Sequence, residues 1–207
     1  MNTYLCLYLI MGQEIFEEYI SQVSALTPAG LEQLLHIAQS KKLKKGQSLL
    51  KRGEVCEAYY LVETGFLSAV YYTDQIVTHA NFIFEGSFTC DLQSMKEQIP
   101  SLVSIEAGED AMIWQFDSKI LFESSMSAPE IMLFTRRLIS RLQVESAEYE
   151  NLIKLNKPAE RYLYIENNNP ELLQRMSTSQ MASYLGITRD TLSRIRKKSD
   201  DNIKVRF

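Results

Sequence analysis

Residues 130–156, "EIMLFTRRLISRLQVESAEYENLIKLN", come directly after Pro129 and contain neither glycine nor proline. Ile131, Phe134, Leu138 and Leu142, then Tyr149 and Leu152, form one apolar line with steps near 3.5, broken at Glu145. That spacing predicts a helix. At 1.5 Å per residue, about 27 residues span ~40 Å. A small domain does not need so long a helix. One stripe can pack on a neighbouring domain and another on a second copy of itself. This helix therefore divides the chain into an N-terminal and a C-terminal part.

In the N-terminal part, from Lys41 to Asp117, short β-rich runs alternate with turn signals: "GQSLLKRGE", "AYYLVETG", "FLSAVYYTD", "QIVTHANFIFEG", "SLVSIEAGED" and "AMIWQFD". Strands at this spacing predict an all-β sandwich or roll. Gly46, Gly53, Gly65, Gly86 and Gly108 fall at the turns, where a positive φ is expected. Two short helices precede the strands. The second is expected to start at Thr27 as N-cap before Pro28. The apolar run in "MNTYLCLYLI" is too short for a bilayer, which needs about 20 residues. It also lacks a basic n-region. Residues 1–11 read as an N-terminal extension, with Met11 opening the first amphipathic segment.

In the C-terminal part, "MSTSQMASYLGITRDTLSRIRKK" (residues 176–198) has a layout of its own. Ser177 or Thr178 can cap a helix whose inward face is Met181, Ala182 and Leu185. Gly186 fits the left-handed position that ends it. Thr188 caps a second helix that packs through Leu192 and Ile195. Helix, glycine turn and helix together make a helix-turn-helix. The formal net charge is −4, yet residues 175–198 carry Arg175, Arg189, Arg194, Arg196, Lys197 and Lys198 against Asp190 alone. A basic face on an anionic body suits a polyanion. A helical hairpin with solvated charges is the plainer alternative, and the joint occurrence of caps, turn, inward apolar set and outward arginines speaks against it.

Arg189, Asp190 and Arg194 are placed to read base edges. Arginine grips guanine bidentately, and a carboxylate accepts from cytosine. Ser177, Ser179, Thr188, Thr191 and Lys197 suit phosphate oxygens. No G-x-S-x-G, H-E-x-x-H, Walker-A or Rossmann fingerprint occurs, so an enzyme is not expected. The three cysteines, Cys6, Cys56 and Cys90, form neither a disulfide framework nor a zinc knuckle. Their spacing fits a reduced, cytoplasmic setting.

The order of β-rich domain, long helix and helix-turn-helix resembles the CRP/FNR family of bacterial transcription regulators. The resemblance runs from about Gly12 onward and is carried by "MASYLGITRDTLSRIRKK", by "RLQVES" and by "LLKRGEVCEAYYLVETGFLSAVY". It implies an α+β fold: N-terminal helices and a jelly-roll-like sensor domain (12–126), a long dimerisation helix (127–156) and a winged helix-turn-helix domain (157–207). It also implies a homodimer on an inverted-repeat operator in double-stranded DNA, no membrane, and RNA polymerase as a further candidate partner. Family members hold an effector between the roll and the long helix. The corresponding residues here are Cys90, Asp91, Leu92, Ser101, Glu145 and Ser146. Where cyclic-nucleotide binders have Gly-Glu-Leu and Arg-Ser, this chain has Cys90-Asp91-Leu92 and Pro100-Ser101. The arginine that would fork a cyclic phosphate is absent, and Glu145 adds negative charge, so cAMP is not the expected effector. Three scattered cysteines do not make an iron–sulfur site, and His79 alone does not suggest a haem. The competing reading is a small-molecule-binding or protein-interaction module with a vestigial helix-turn-helix.

Overall fold

The computed structural model describes residues 14–72, 77–155 and 157–204. The expected extension, residues 1–11, lies outside them. Residues 14–23 form helix α1, and α2 is Pro28–Ile37. Eight strands come next: β1 (Ala38–Leu43), β2 (Ser48–Leu50), β3 (Ala58–Thr64), β4 (Leu67–Tyr72), β5 (Val77–Ile83), β6 (Phe88–Thr89), β7 (Ser104–Ala107) and β8 (Ala111–Asp117). A short helix, α3 (Leu92–Glu97), interrupts them after β6. The chain then turns helical through α4 (Ser118–Ser127), α5 (Pro129–Lys154), α6 (Pro158–Asn168), α7 (Pro170–Arg175), α8 (Thr178–Tyr184) and α9 (Arg189–Lys204). The predicted long helix is α5. Among the described residues no helix is long and apolar enough to cross a membrane.

The strands form two four-stranded antiparallel sheets, ordered β1-β8-β3-β6 and β2-β7-β4-β5. Strand β3 explains why they stack. Six of its seven residues are buried, and because side chains alternate they serve two cores. Ala58, Tyr60 and Val62 join Leu67, Ile83, Ile105 and Ile113 between the sheets. Tyr59 and Leu61 point the other way, to Phe16, Leu34, Leu121, Ile131, Phe134 and Leu138. The helices α1, α2, α4 and α5 therefore cover the outer face of the first sheet. Glu130 fastens this layer. Its carboxylate accepts from the Thr27 amide (2.9 Å) and the Thr27 hydroxyl (2.8 Å), while that same hydroxyl caps α2 by accepting from the Gly30 amide (3.2 Å).

A third core lies between the roll and the C-terminal helices. Phe66 and Phe82 of the roll pack with Leu152, Tyr162, Ile165, Leu172, Met181, Tyr184, Leu185 and Leu192. The C-terminal helices are present as expected. Among the described residues no strand comes after β8, so the wing expected in this domain is not among them.

Gly108 differs from the sequence expectation. Gly46, Gly53, Gly65 and Gly86 have positive φ, but Gly108 does not. It is needed for closeness instead: a Cβ there would sit 1.9 Å from the Phe66 ring. Replacing Gly108 by Ala is therefore expected to cost about 1–3 kcal/mol by overpacking. In urea unfolding, the Gly108→Ala/Phe66→Leu double variant is expected to lose less than the sum of the two single changes, because the smaller side chain makes room.

Candidate nucleic-acid interface and effector cleft

The helix-turn-helix is built from local signals. Ser177 is the N-cap of α8. The Gln180 amide donates to its hydroxyl (3.3 Å), and Gln180 Oε1 accepts from the Ser177 amide (3.1 Å), a reciprocal capping box. At the other end Gly186 has φ 65°. The amides of Gly186 and Ile187 donate to the carbonyls of Ser183 (3.1 Å) and Ala182 (2.9 Å), and Arg161 Nη1 donates to the Leu185 carbonyl (2.8 Å). These bonds satisfy the free carbonyls of the α8 terminus. Thr188 caps α9: the Thr191 amide donates to its hydroxyl at 3.2 Å. Met181, Ala182, Leu185 and Leu192 are buried beneath the pair, with Ile195 packed alongside.

This packing sets the orientation of α9. With Leu192 inward, Arg189, Asp190, Arg194 and Lys197 are all exposed, and Thr191 is half-buried. Ser177 and Thr188 are exposed and Ser179 half-buried. The hydroxyls of Ser177 and Thr188 already serve as caps, which leaves lone-pair capacity but ties their orientation. Arg196 is half-buried and reaches Thr178 at 3.5 Å.

Arg175 departs from the basic face. It grips two carboxylates of the roll. Nη1 and Nη2 donate to Glu85 at 2.6 and 3.0 Å, and Nη2 also donates to Glu109 at 2.7 Å. Partial burial alone would raise the Glu85 pKa, but the Arg175 bonds hold it below the ordinary carboxylate range, and the arginine is raised in turn, chiefly by its bond to Glu85. The basic surface is thus five cations against Asp190, not six. Sequence reasoning missed this clamp, along with Ser183. The Ser183 hydroxyl donates to the Val77 carbonyl (2.8 Å) and accepts from the His79 amide (3.0 Å).

The six expected effector residues fall into two groups. Cys90, Asp91, Leu92 and Ser101 cluster at the start of α3. Asp91 caps that helix, accepting from the Ser94 amide at 2.9 Å, and its second oxygen accepts from the Ser101 hydroxyl at 2.7 Å. Cys90 lies between the first two cores, where burial pushes its thiol pKa up. Leu92 is the first residue of α3 and half-buried. Glu145 and Ser146 lie elsewhere, on α5. Glu145 pairs with Arg141 at 2.9 Å, and Ser146 is exposed. A cleft of about 470 Å³ opens between β5, the far half of α5 and the α6–α7 corner, walled by Phe82, Tyr149, Tyr164, Tyr184, Glu145 and Glu148 among others. Of the expected residues, Glu145 alone lies in it, and among the described residues no lysine, arginine or histidine lines it. His79 is half-buried, with Nδ1 2.6 Å from the Ser68 hydroxyl and its ring 5.0 Å from that of Phe82; burial lowers its pKa.

No protein-family model matches the chain. A fumarate and nitrate reduction regulatory protein from Vibrio cholerae is 26% identical over 184 residues, covering 82% of this chain and 72% of the relative. Among solved structures, FixK2 from Bradyrhizobium japonicum superposes with a TM-score of 0.66 at 16% identity, over 80% of this chain and 86% of that one. A c-di-GMP responsive global regulator, CLP, from Xanthomonas campestris gives 0.63 at 17%, over 85% and 93%. A protein from Eubacterium rectale assigned to the crp/fnr family gives 0.65 at 17%, over 90% and 89%. The Vibrio cholerae, Xanthomonas campestris and Eubacterium rectale proteins are described as regulators, and the three solved structures share this chain's fold over 80%, 85% and 90% of its length.

The capping geometry predicts that Ser177→Ala and Thr188→Ala each lower stability by about 1 kcal/mol. Thermal unfolding is expected to show the larger loss at Ser177, whose cap is reciprocal.

Proposed function

We propose that this chain, which is similar in sequence and in fold to the CRP/FNR regulators, acts in the cytoplasm as a homodimeric, sequence-specific DNA-binding transcription regulator. The observation that carries this reading is the exposed side of α9: Asp190, Arg194 and Lys197 lie opposite buried Leu192, and Arg189 is exposed on the flank in the first turn. The first turn of such a helix enters the major groove. Arg189, Asp190 and Arg194 are the base readers, and Ser177, Ser179, Thr188, Thr191 and Lys197 receive phosphates. RNA polymerase is the partner such a regulator would engage at a promoter.

Dimerisation is supported by what α4 and α5 leave uncovered. Phe122 (61% exposed) and Met126 (72%) project from α4, and Leu133 (43%) and Val144 (58%) from α5. Leu133 and Val144 are eleven residues, close to three turns, apart and so share a line away from the buried stripe. Apolar residues in such a row favour burial against another copy. Two copies would present their α9 helices to half-sites about 34 Å apart.

The effector is not cAMP in this reading. Asp91 accepts from Ser101 where a phosphate would need those groups, and Pro100 stands in place of the arginine. A cyclic phosphate desolvated beside the Asp91 carboxylate would lack a counter-charge. Isothermal calorimetry with cAMP is expected to show no sub-micromolar binding.

For DNA, selection from random duplexes followed by titration across salt concentrations is the test. Arg194→Ala is expected to cost about 1–3 kcal/mol and to relax preference at one base pair. Lys197→Ala is expected to weaken all duplexes alike and to reduce the salt slope by roughly one. Equal affinity of the wild type for selected and random duplexes would refute the proposal.

A further inference from the structure

The cleft beside Glu145, of about 470 Å³, has a volume in the range of small-ligand sites. Its floor is apolar and aromatic. Phe82, Leu152 and Tyr184 line it and are buried. The Tyr184 ring stands 5.1 Å from the Tyr149 ring and 5.4 Å from the Phe82 ring, so three π systems meet in one corner. Tyr164, 41% exposed, adds a fourth ring at the mouth. Burial raises the pKa values of Tyr149 and Tyr184, so both stay protonated and present neutral rings. The face of such a ring is electron-rich and attracts a cation.

The walls carry charge of the same sense. Glu145 and Glu148 line the cleft from α5, and Glu171 lines it from the first turn of α7. Glu145 is neutralised by Arg141 at 2.9 Å. Glu148 and Glu171 are exposed, and among the described residues neither has an ion-pair partner. Among the described residues no lysine, arginine or histidine lines the cleft. A ligand bearing a phosphate or carboxylate would bury its charge beside these glutamates with nothing to balance it. A cationic head would meet rings on the floor and carboxylates at the mouth, and an aromatic cage of this kind is how proteins hold ammonium groups.

We propose that this cleft is a binding site for a small organic cation, an amine or quaternary ammonium compound, whose charged head lies against the rings of Tyr149, Tyr164 and Tyr184 with Glu148 and Glu171 as counter-charges. The site is independent of the DNA-binding reading, and its occupancy is measured without duplex.

Two probes are titrated into the full chain by calorimetry, with ligand-observed NMR as a second readout: choline, a compact quaternary head, and spermidine, a flexible chain of amines. The comparisons are the neutral isostere of choline, in which a tert-butyl group replaces the trimethylammonium, and magnesium chloride at matched ionic strength. Glu148→Gln/Glu171→Gln removes the counter-charges, and Tyr164→Leu keeps apolar bulk but removes a π face. Both change exposed side chains, and thermal unfolding checks that each variant folds. Glu17→Gln/Glu18→Gln, on the exposed side of α1, changes net charge equally and serves as control.

At least one probe is expected to bind, and the isostere and magnesium are not. Affinity is expected to fall by about tenfold in Glu148→Gln/Glu171→Gln and by about two- to fivefold in Tyr164→Leu, with the control unchanged. Binding of choline alone assigns a quaternary head, and binding of spermidine alone assigns an amine chain. Absence of binding by both probes at millimolar concentration overturns the site. Equal binding of the isostere overturns it as a plain apolar pocket. An equal fall in the control, or undiminished affinity in either folded cleft variant, overturns it as diffuse attraction to an anionic protein. If Tyr164→Leu does not fold, the isostere and the glutamate variant decide.

Discussion

Helix α5 is the member on which the other parts depend. Its first half drives Ile131, Phe134, Leu138 and Leu142 into the core over β3. Its last turns deliver Leu152, with Tyr149 alongside, to a different core shared with the C-terminal helices. One uninterrupted rod therefore sets the distance between roll and helix-turn-helix. Hydrogen bonding along a helix has no weak joint unless glycine, proline or an inserted group supplies one, and past its first residue α5 contains no glycine or proline. Where its apolar line breaks, at Glu145, the side of the rod is no longer packed, and the cleft walled by Glu145, Glu148 and Tyr149 opens there.

The two ends are stabilised by different kinds of interaction. The roll is held by two-sided burial, with β3 feeding alternate side chains to separate cores. The helix-turn-helix is framed by short-range devices: the Ser177–Gln180 box, the Gly186 terminus and the Thr188 cap. Between them lie a few aromatic rings and one arginine. The third core is shared across this junction, and the polar bonds of Arg175 and Ser183 add directional specificity to the docking.

Much of this was legible in the sequence. The long helix, the strand runs, the Thr27 cap and the glycine-ended helix pair all rest on signals a few residues apart, and such signals survive folding unchanged. The N-cap of α8 had two candidates, Ser177 and Thr178, and geometry selects Ser177. What was not legible depends on distance along the chain. Glu85 and Arg175 are 90 residues apart, so Arg175 counts toward the basic segment in sequence although its partners lie on the roll. Gly108 reads as a turn residue, but the reason for it is the ring of Phe66 lying on it. Short helix α3 arises from Asp91 acting as a cap, a use of that side chain that comparison with nucleotide-binding relatives does not suggest. The expected effector residues rest on a correspondence of positions, and what the sequence did not show is the use made of two of them: Asp91 and Ser101 engage each other, while Glu145 on α5 lines the cleft beside Tyr149.

The C-terminal helices do not own their hydrophobic core outright. Phe66 and Phe82, which come from strands and turns made much earlier in the chain, complete it. During synthesis the roll can close before these helices emerge, but the helices have no finished interior until the roll is there to receive them. A chimera that grafts this helix-turn-helix onto another roll would carry an apolar gap at the graft. Exchange of such modules between chains of this fold is then constrained less by the linker than by whether two aromatic rings on the recipient stand in the right place.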